Sequence, residues 1–542
     1  MLKKRKFVVV TGGVLSGLGK GLFVSSLGKL LQSRGYKVVP LKIDPYVNVD
    51  AGTMNPIEHG EVFVLDDGSE VDMDLGTYER FLDIKLNKDS NITTGKIFKK
   101  VIEKERRGDY LGKTVQLIPF VTGELKKEYR DLYDNNSADV VLIEIGGTIG
   151  DIENQIFLES VRELSLEEEV MFIHCTLVPV MGVVGEQKTK PTQQNIRLLR
   201  EIGIIPNMIF CRSEKPIEEE IKNKISLFCN VSEERIISGP DLNNIYEIPL
   251  VLDQQCVAEK VLSYLKLEPR RKNLFEWKDF VRKLNNPSKS VNIALIGKYT
   301  HLKDSYVSVI ESLVHASGNL GCKINMKLVE SSDIEKGIDL KILFNGVDGI
   351  LVPGGFGKRG IEGKISAIKY ARENNIPFLG LCLGFQLAVI EYARHVCLLN
   401  KANSSEFAPE VEHKVIDILE DQKNLEDKGG TMRLGVYEAD LMEDSLISFL
   451  YGSNKAFERH RHRYEVNANY IKNFEDNGML FSGKSLNNSL MEFLEIPNHR
   501  FFIATQAHPE FTSRPLNPNP LFLGFVKSCL GQEARTISVV AS

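Results

Sequence analysis

The sequence predicts an α/β protein with two doubly wound parallel-sheet domains, and three observations carry that expectation. Short apolar, β-branched runs alternate with longer segments of helical spacing, the pattern of parallel strands covered by helices on both faces. The alternation lapses once, near residue 266, and then resumes. At 542 residues the chain is also too long for one ordinary core.

The first series of strands reads KFVVVTGG (6–13), YKVVPLKID (36–44), ADVVLIEIGG (138–147), EVMFIHCTLVPV (169–180) and IPNMIFCR (205–212). Segments such as KGLFVSSLGKLLQSRG (20–35) supply the helices between them. Together they define a first domain over residues 1–266. The polar, basic stretch LEPRRKNLFEWKDFVRKLNNPSKS (267–290) reads as a partly helical connector, with the single tryptophan, Trp277, in a packing role. A second series, VNIALIGKY (291–299), CKINMKLVE (322–330), VDGILVPGG (347–355) and IPFLGLCLG (376–384), opens a second domain over 291–535, in which KNLEDKGG (423–430) is a turn-rich excursion. No fixed-period repeat relates the halves.

Composition narrows the function. Hydrophobic residues at 42% and charged residues at 26% suit a soluble globular protein. Acidic residues outnumber basic ones 73 to 68, so the net charge of −5 gives no support for a nucleic-acid or membrane surface. The eight cysteines form no C-x-x-C pair, which argues against a zinc knuckle or disulfide framework and for a reducing, cytoplasmic setting. The basic start MLKKRKFVVVTGG has too short an apolar run for a signal peptide. No apolar run of about 18 residues predicts a spanning helix.

The stretch TGGVLSGLGKG (11–21) lies between the first strand and the first helix, where backbone N–H groups and the helix dipole favour phosphate. It departs from G-x-x-x-x-G-K-[ST], because Gly21 replaces the hydroxyl that would hold magnesium. The metal ligands must therefore lie elsewhere, and magnesium prefers one or two carboxylates beside the phosphates. Asp74, opening DLGTYERF, and Glu144, late in an apolar strand, are the candidates, with Lys20 as a cation for the β- and γ-phosphates. Lys42 after the second strand and EQKTKPTQQN (186–195) offer cations for a second anionic substrate at the sheet edge.

The second domain carries GLCLG (380–384), a G-x-C-x-G elbow that exposes Cys382 at a helix N-terminus. In QAHPEF (506–511), His508 supplies the base and Glu510 the orienting acid, both projecting to one side of an extended segment. Gly355 in LVPGGFGKRG (351–360) and the amide after Cys382 form a candidate oxyanion hole. ERHRHRYE (458–465) places its arginines on one side and His460 and His462 on the other, a pattern better suited to a local anion or carboxylate contact than to a metal. A thiol that frees ammonia from an amide, joined to an ATP site that activates an oxygen, predicts ATP-driven amination with glutamine nitrogen.

From about residue 6 to 530 the chain resembles the CTP synthase family. The motifs are GGVLSGLGKG, LKIDPYVNVDAGTMNPIEHGEVFVLDDG, DLGTYERF, EIGGTIGDIE, KTKPTQ, LVPGGFG, GLCLG, ERHRHRYEVN and AHPEF. The elbow and the HPE segment alone indicate only a class I glutamine amidotransferase domain. The resemblance implies a P-loop-like amidoligase domain that uses ATP to phosphorylate O4 of UTP, so that ammonia from L-glutamine gives CTP. It implies ATP binding by Gly17, Leu18, Gly19, Lys20, Gly21, Leu22, Asp74, Pro240, Asp241 and Leu242, with Mg2+ on Asp74 and Glu144. It places UTP, or CTP as feedback inhibitor, on Ser16, Asp151, Ile152, Glu153, Lys188, Thr189, Lys190, Pro191, Thr192, Gln193 and Lys224. Glutamine falls to Gly355, Leu383, Gly384, Phe385, Gln386, Glu406 and Arg463, beside the triad Cys382, His508 and Glu510. GTP as allosteric activator and a homotetramer are further implications. Phe385 stands where many relatives have methionine, which would tighten the glutamine pocket. An amidoligase of the same build, such as a cobyric acid synthase, is disfavoured by KTKPTQ and EIGGTIGDIE. A nucleotide-gated scaffold is disfavoured by the intact triad and both carboxylates.

Overall fold

The structure is a computed structural model that describes residues 4–15, 17–54, 59–182, 185–298, 303–419 and 430–536. Ser16 and most of the excursion at 423–430 lie outside the described residues. The chain forms two compact units, one of Met1–Ala51 with Asp74–Lys278 and one of Gly52–Met73 with Asp279–Ser542. The segment 52–73, which by sequence position falls within the first domain, thus packs with the second unit.

The first unit is built on seven strands: β1 (Lys6–Gly12), β2 (Val38–Asp44), β3 (Asn91–Thr93), β4 (Val140–Ile145), β5 (Glu169–Leu177), β6 (Met208–Ser213) and β7 (Ile236–Pro240). Their order is β7-β6-β5-β1-β4-β2-β3, and every neighbouring pair is parallel. All residues of β1, β2 and β4 are buried, as continuous valine and isoleucine runs require of strands covered on both faces. The helix α1 (Lys20–Gln32) follows β1 directly, so the turn at 13–19 sits at the carboxyl end of a central strand. Ligands bind at this edge in such sheets.

The connector is partly helical, over Phe275–Asn285. Trp277 is buried in the first unit, where its indole N–H donates to the Tyr246 carbonyl at 2.9 Å and its ring lies 5.3 Å from Phe81.

In the second unit the nine-stranded sheet begins with β8 (Lys289–Gly297), β9 (Cys322–Glu330), β10 (Gly349–Val352) and β11 (Phe378–Leu381). It continues with β12 (Arg433–Leu441), β13 (Lys455–His462), β14 (Leu480–Ser485), β15 (Met491–Glu495) and β16 (Phe502–Thr505). The order is β9-β8-β10-β11-β16-β15-β14-β12-β13. Pairing is parallel from β9 to β16, as the alternation predicts, and antiparallel from β16 to β13. The antiparallel extension was not visible in the sequence, because β12 and β13 are part-exposed and its strands follow one another without long helices. A small hairpin, Phe63–Val64 with Glu70–Val71, joins this unit through Arg459–Asp66 (2.6 Å) and Arg461–Glu70 (2.7 Å).

Replacing Trp277 with Ala should cost about 3–5 kcal/mol, because a fully buried ring leaves a cavity that its neighbours fill only in part. Urea unfolding followed by far-UV circular dichroism should show the transition of the first unit moved to lower denaturant. A Phe replacement should move it less, and an unshifted transition for the Ala variant would contradict the packing role.

Candidate functional site

Two constellations emerge, one in each unit. In the first, the chain leaves β1 through a turn in which Val14 (φ 80°), Gly17 (φ 75°) and Gly19 (φ 84°) all take positive φ. A β-branched residue in that region is strained, and such strain gathers at functional turns. Gly19 caps α1 with no side-chain bond, so the first N–H groups of the helix are open to an anion. Lys20 is buried and donates to the Gly147 carbonyl at 3.0 Å.

Gly21 explains the departure from the usual phosphate loop. A Cβ there would stand 2.6 Å from Asp74 Oδ1 and 3.5 Å from Glu144 Oε2. The missing hydroxyl position is therefore where the two carboxylates converge. Asp74 comes from the first turn of α2 (Met73–Leu82), and Glu144 from β4, in register with Lys42 on β2. Lys42 pairs with Asp74 and lies 3.5 Å from Glu144 and from Asp44, while the Tyr78 hydroxyl donates to Glu144. Burial opposes ionisation of Asp74, yet Lys42 and then Lys20 outweigh it and lower its pKa. Glu144 is raised instead, by burial and by the neighbouring Asp74 charge against the pull of Lys42. Hard oxygen donors, a side-chain-free cradle beside them and an adjoining phosphate turn fit Mg2+. Among the described residues no group of three or more His, Cys, Asp or Glu is placed to hold a metal.

Most of the other nucleotide candidates lie in the loops that follow the strands, while Lys224 lies within the helix Glu219–Cys229. Leu18 is buried and Leu22 half-buried. Asp151 accepts from the Thr148 N–H at 2.9 Å, and Ile152 and Glu153 are exposed in the turn that follows. Lys188 pairs with Glu186 at 2.7 Å, and Lys224 acts electrostatically on the same carboxylate. Thr189 and Gln193 are bonded at 3.0 Å across the start of α3 (Lys190–Glu201), whose first turn holds Pro191 and buried Thr192. Asp241 follows Pro240 at the end of β7, with Leu242 next, and accepts from Arg212 at 2.7 Å. The Arg212 guanidinium also stands 3.8 Å from where a Cβ of Gly19 would be. Sequence reading passed over Arg212, because a single arginine closing an apolar strand carries no motif.

In the second unit Cys382 links β11 to α4 (Leu383–His395) with φ 49° and ψ −97°, the strained elbow that GLCLG predicts. Its sulfur is 3.9 Å from the Arg461 carbonyl and 3.7 Å from the Gln506 amide nitrogen. His508 Nδ1 meets Glu510 Oε1 at 2.7 Å, so the predicted acid–base pair forms. It forms by a different route, because Pro509–Phe511 is a 3-10 turn rather than an extended segment. Burial would push His508 down, yet Glu510, followed by the Cys382 sulfur, holds it up at about 10. His508 Nε2 is buried with no partner in hydrogen-bond geometry, which leaves it facing the thiol electrostatically.

Around the triad lies a cleft of about 200 Å³ lined by Gly354, Gly355, Phe356, Arg461, His508 and Glu510. Leu383 opens α4, where first-turn N–H groups lack helical acceptors. Gly384 is demanded by packing, since a Cβ would meet the Val352 carbonyl at 2.2 Å. Phe385 is fully buried in the apolar core, so its difference from methionine acts through packing. Gln386 donates to the Tyr464 carbonyl at 3.1 Å. Glu406, raised by burial, accepts from the Gly357 N–H at 3.1 Å, and Arg463 donates to Thr431 at 2.9 Å. The histidines of ERHRHRYE lie 3.0 Å apart among carboxylates, with His460 3.5 Å from Glu492 and His462 3.4 Å from Glu465, as the carboxylate reading expects.

Residues 6–267 match the family model for the CTP synthase N-terminus, and residues 301–528 that for class-I glutamine amidotransferase. A CTP synthase of Methanocaldococcus jannaschii is 51% identical over 542 residues, covering 98% of this chain and 100% of the relative. One from Pyrococcus abyssi is 53% identical over 527 residues, covering 96% and 97%. A solved glutaminase domain of Trypanosoma brucei CTPS with bound acivicin is 37% identical, covering 46% of this chain and 98% of that one, with a TM-score of 0.43. Near-complete coverage at about half identity places the motifs of both units in one family: the chain belongs to the CTP synthases.

Proposed function

We propose that this chain converts UTP to CTP with ATP as the driving co-substrate and L-glutamine as the nitrogen source, through a UTP phosphorylated on O4. One observation carries the reading: a phosphate turn with two converging carboxylates and a Cys–His–Glu triad occur in a single chain. Uracil O4 attacks the γ-phosphorus of ATP and releases ADP, after which ammonia adds at C4 and expels phosphate. Gly17 to Leu22 cradle the ATP phosphates, and Pro240 to Leu242 border the adenine. Asp74 and Glu144 would hold Mg2+, which when bound offsets phosphate charge. Lys20 and Lys42 add cations at the same place. Ser16, Asp151 to Glu153, Lys188 to Gln193 and Lys224 take the pyrimidine nucleotide, as substrate UTP or as inhibitory CTP.

Glutamine hydrolysis follows from the triad. With Glu510 and the Cys382 sulfur holding it up at about 10, His508 is an imidazolium at neutral pH, and a cation beside a cysteine sulfur favours its reactive form. The thiolate adds to the side-chain amide carbon, and the N–H groups of Gly355 and Leu383 receive the oxyanion. The imidazolium proton goes to the departing ammonia, and water then cleaves the thioester. Glu406 and Arg463 have the charges to bind the α-ammonium and α-carboxylate of glutamine. GTP activation, CTP feedback and a homotetramer belong to the same reading. Eight unpaired cysteines suit a reducing, cytoplasmic setting. Among the described residues no helix is long and apolar enough to cross a membrane.

Purified protein supplied with UTP, ATP, Mg2+ and glutamine should form CTP, detected by chromatography. No CTP in the presence of all four would overturn the substrate assignment. Cys382→Ala should abolish glutamine-dependent synthesis while ammonium chloride still supports it within about two-fold, since the thiol takes no part in the second step. If both nitrogen sources fail, the two-site reading is wrong. Asp74→Ala and Glu144→Ala should each lower ammonia-dependent CTP formation at least about 100-fold while glutamine hydrolysis persists. Unchanged ATP turnover in both would remove them from the metal site.

A further inference from the structure

Lys364 is a buried amine that the mechanism above leaves unused. It lies on α5 (Ile361–Glu373), is fully buried, and its Nζ has no hydrogen-bond partner among the described residues. That nitrogen stands 3.9 Å from the position a Cβ of Gly355 would occupy, so it lies against the oxyanion loop. Lys298 holds the same loop, donating to the carbonyls of Phe356 (2.8 Å) and Gly357, and Glu406 accepts from the Gly357 N–H. The loop is thus held by hydrogen bonds at Phe356 and Gly357 and has an unsatisfied amine beside Gly355.

An unpartnered buried amine destabilises a fold, since it loses water and gains nothing in return. Helix α5 could place a methionine or leucine there at no such cost. The charged groups around it are Lys298 at the end of β8, Glu330 at the end of β9 and Cys382 at the elbow, with Arg359 3.6 Å from Glu330 and Glu335 acting on Lys298. Glu330 and Cys382 favour the protonated amine, whereas burial and then Lys298 disfavour it and bring its pKa down to about 7.

We infer that Lys364 is a positioning residue for glutamine hydrolysis, whose protonated amine lends positive charge to the Cys382 thiolate and to the oxyanion at Gly355. Within a low-dielectric site a single cation at this range acts strongly on developing negative charge. Because the amine loses its proton near neutral pH, it also makes the glutaminase half-reaction sensitive to pH in that range. This inference rests on the thiol reading of the second unit and names one more residue that serves it.

The test compares wild type with Lys364→Met, which fills the same volume without charge, in the full chain. Two opposite effects are expected. Thermal unfolding should move to higher temperature, because the unsatisfied amine is gone, while glutaminase kcat falls on the order of 10-fold with KM within about two-fold. Alkylation of Cys382 by iodoacetamide, followed by peptide mass spectrometry across pH, should shift upward by about one unit in the variant. Lower stability together with lower activity, or alkylation profiles that superimpose, would reduce Lys364 to a packing residue and overturn the inference. Unchanged kcat would overturn it as well. Cys382→Ala run in parallel separates the failures: glutamine hydrolysis surviving there refutes the thiol reading itself, whatever Lys364 does.

Discussion

Two carboxylates held close together, one of them buried, cannot both stay ionised unless positive charge stands beside them. Asp74 and Glu144 meet that constraint through Lys42 and Lys20, and much of the first unit follows from it. Gly21 has to lack a side chain so that the acids can approach the helix start. Lys42 has to sit on the strand next to Glu144, which the parallel register of β2 and β4 ensures. Tyr78 has to face inward from α2 to occupy a remaining lone pair of Glu144. The opposite directions in which the two acids shift are the expected result when near-equivalent groups share limited countercharge.

The second unit solves the same problem with different residues. Its triad lies next to a buried network in which Arg433 serves Glu492 at 2.6 Å and Glu465 at 3.2 Å, while His460 and His462 stay neutral through burial and the nearby Arg433. Placing neutral imidazoles there matters, because two more cations would repel the charge on His508. The elbow, the base and this network all depend on β13 and β16, which sit in the antiparallel part of the sheet or at its boundary.

Motifs fixed to a strand end were legible in the sequence: the cradle at 11–21, the elbow at Cys382 and the His508–Glu510 pair all depend on short local spacings. The central strands of both parallel series were legible as well, since burial on both faces forces uninterrupted apolar runs, whereas the short edge strands β3 and β7 and the late strand β16 went unread. What escaped notice depends on long-range approach. Arg212 reaches the Gly19 turn from five strands later in the chain, and Lys364 is an ordinary surface-looking residue on a helix until packing buries it. The antiparallel strands and the membership of 52–73 in the second unit were hidden likewise, because charge pairs such as Arg459–Asp66 join residues almost 400 positions apart.

That last pairing bears on how the molecule could be dissected. No single cleavage of the chain yields both compact units whole, since one contains an excursion from inside the other. A C-terminal fragment begun near residue 279 would leave Arg459 and Arg461 facing water in place of Asp66 and Glu70, and a matching N-terminal fragment would carry a hairpin stripped of its anchors. The excursion ends at Met73, one peptide bond before the first of the two acids, so the protein is two-part in space but indivisible as a thread.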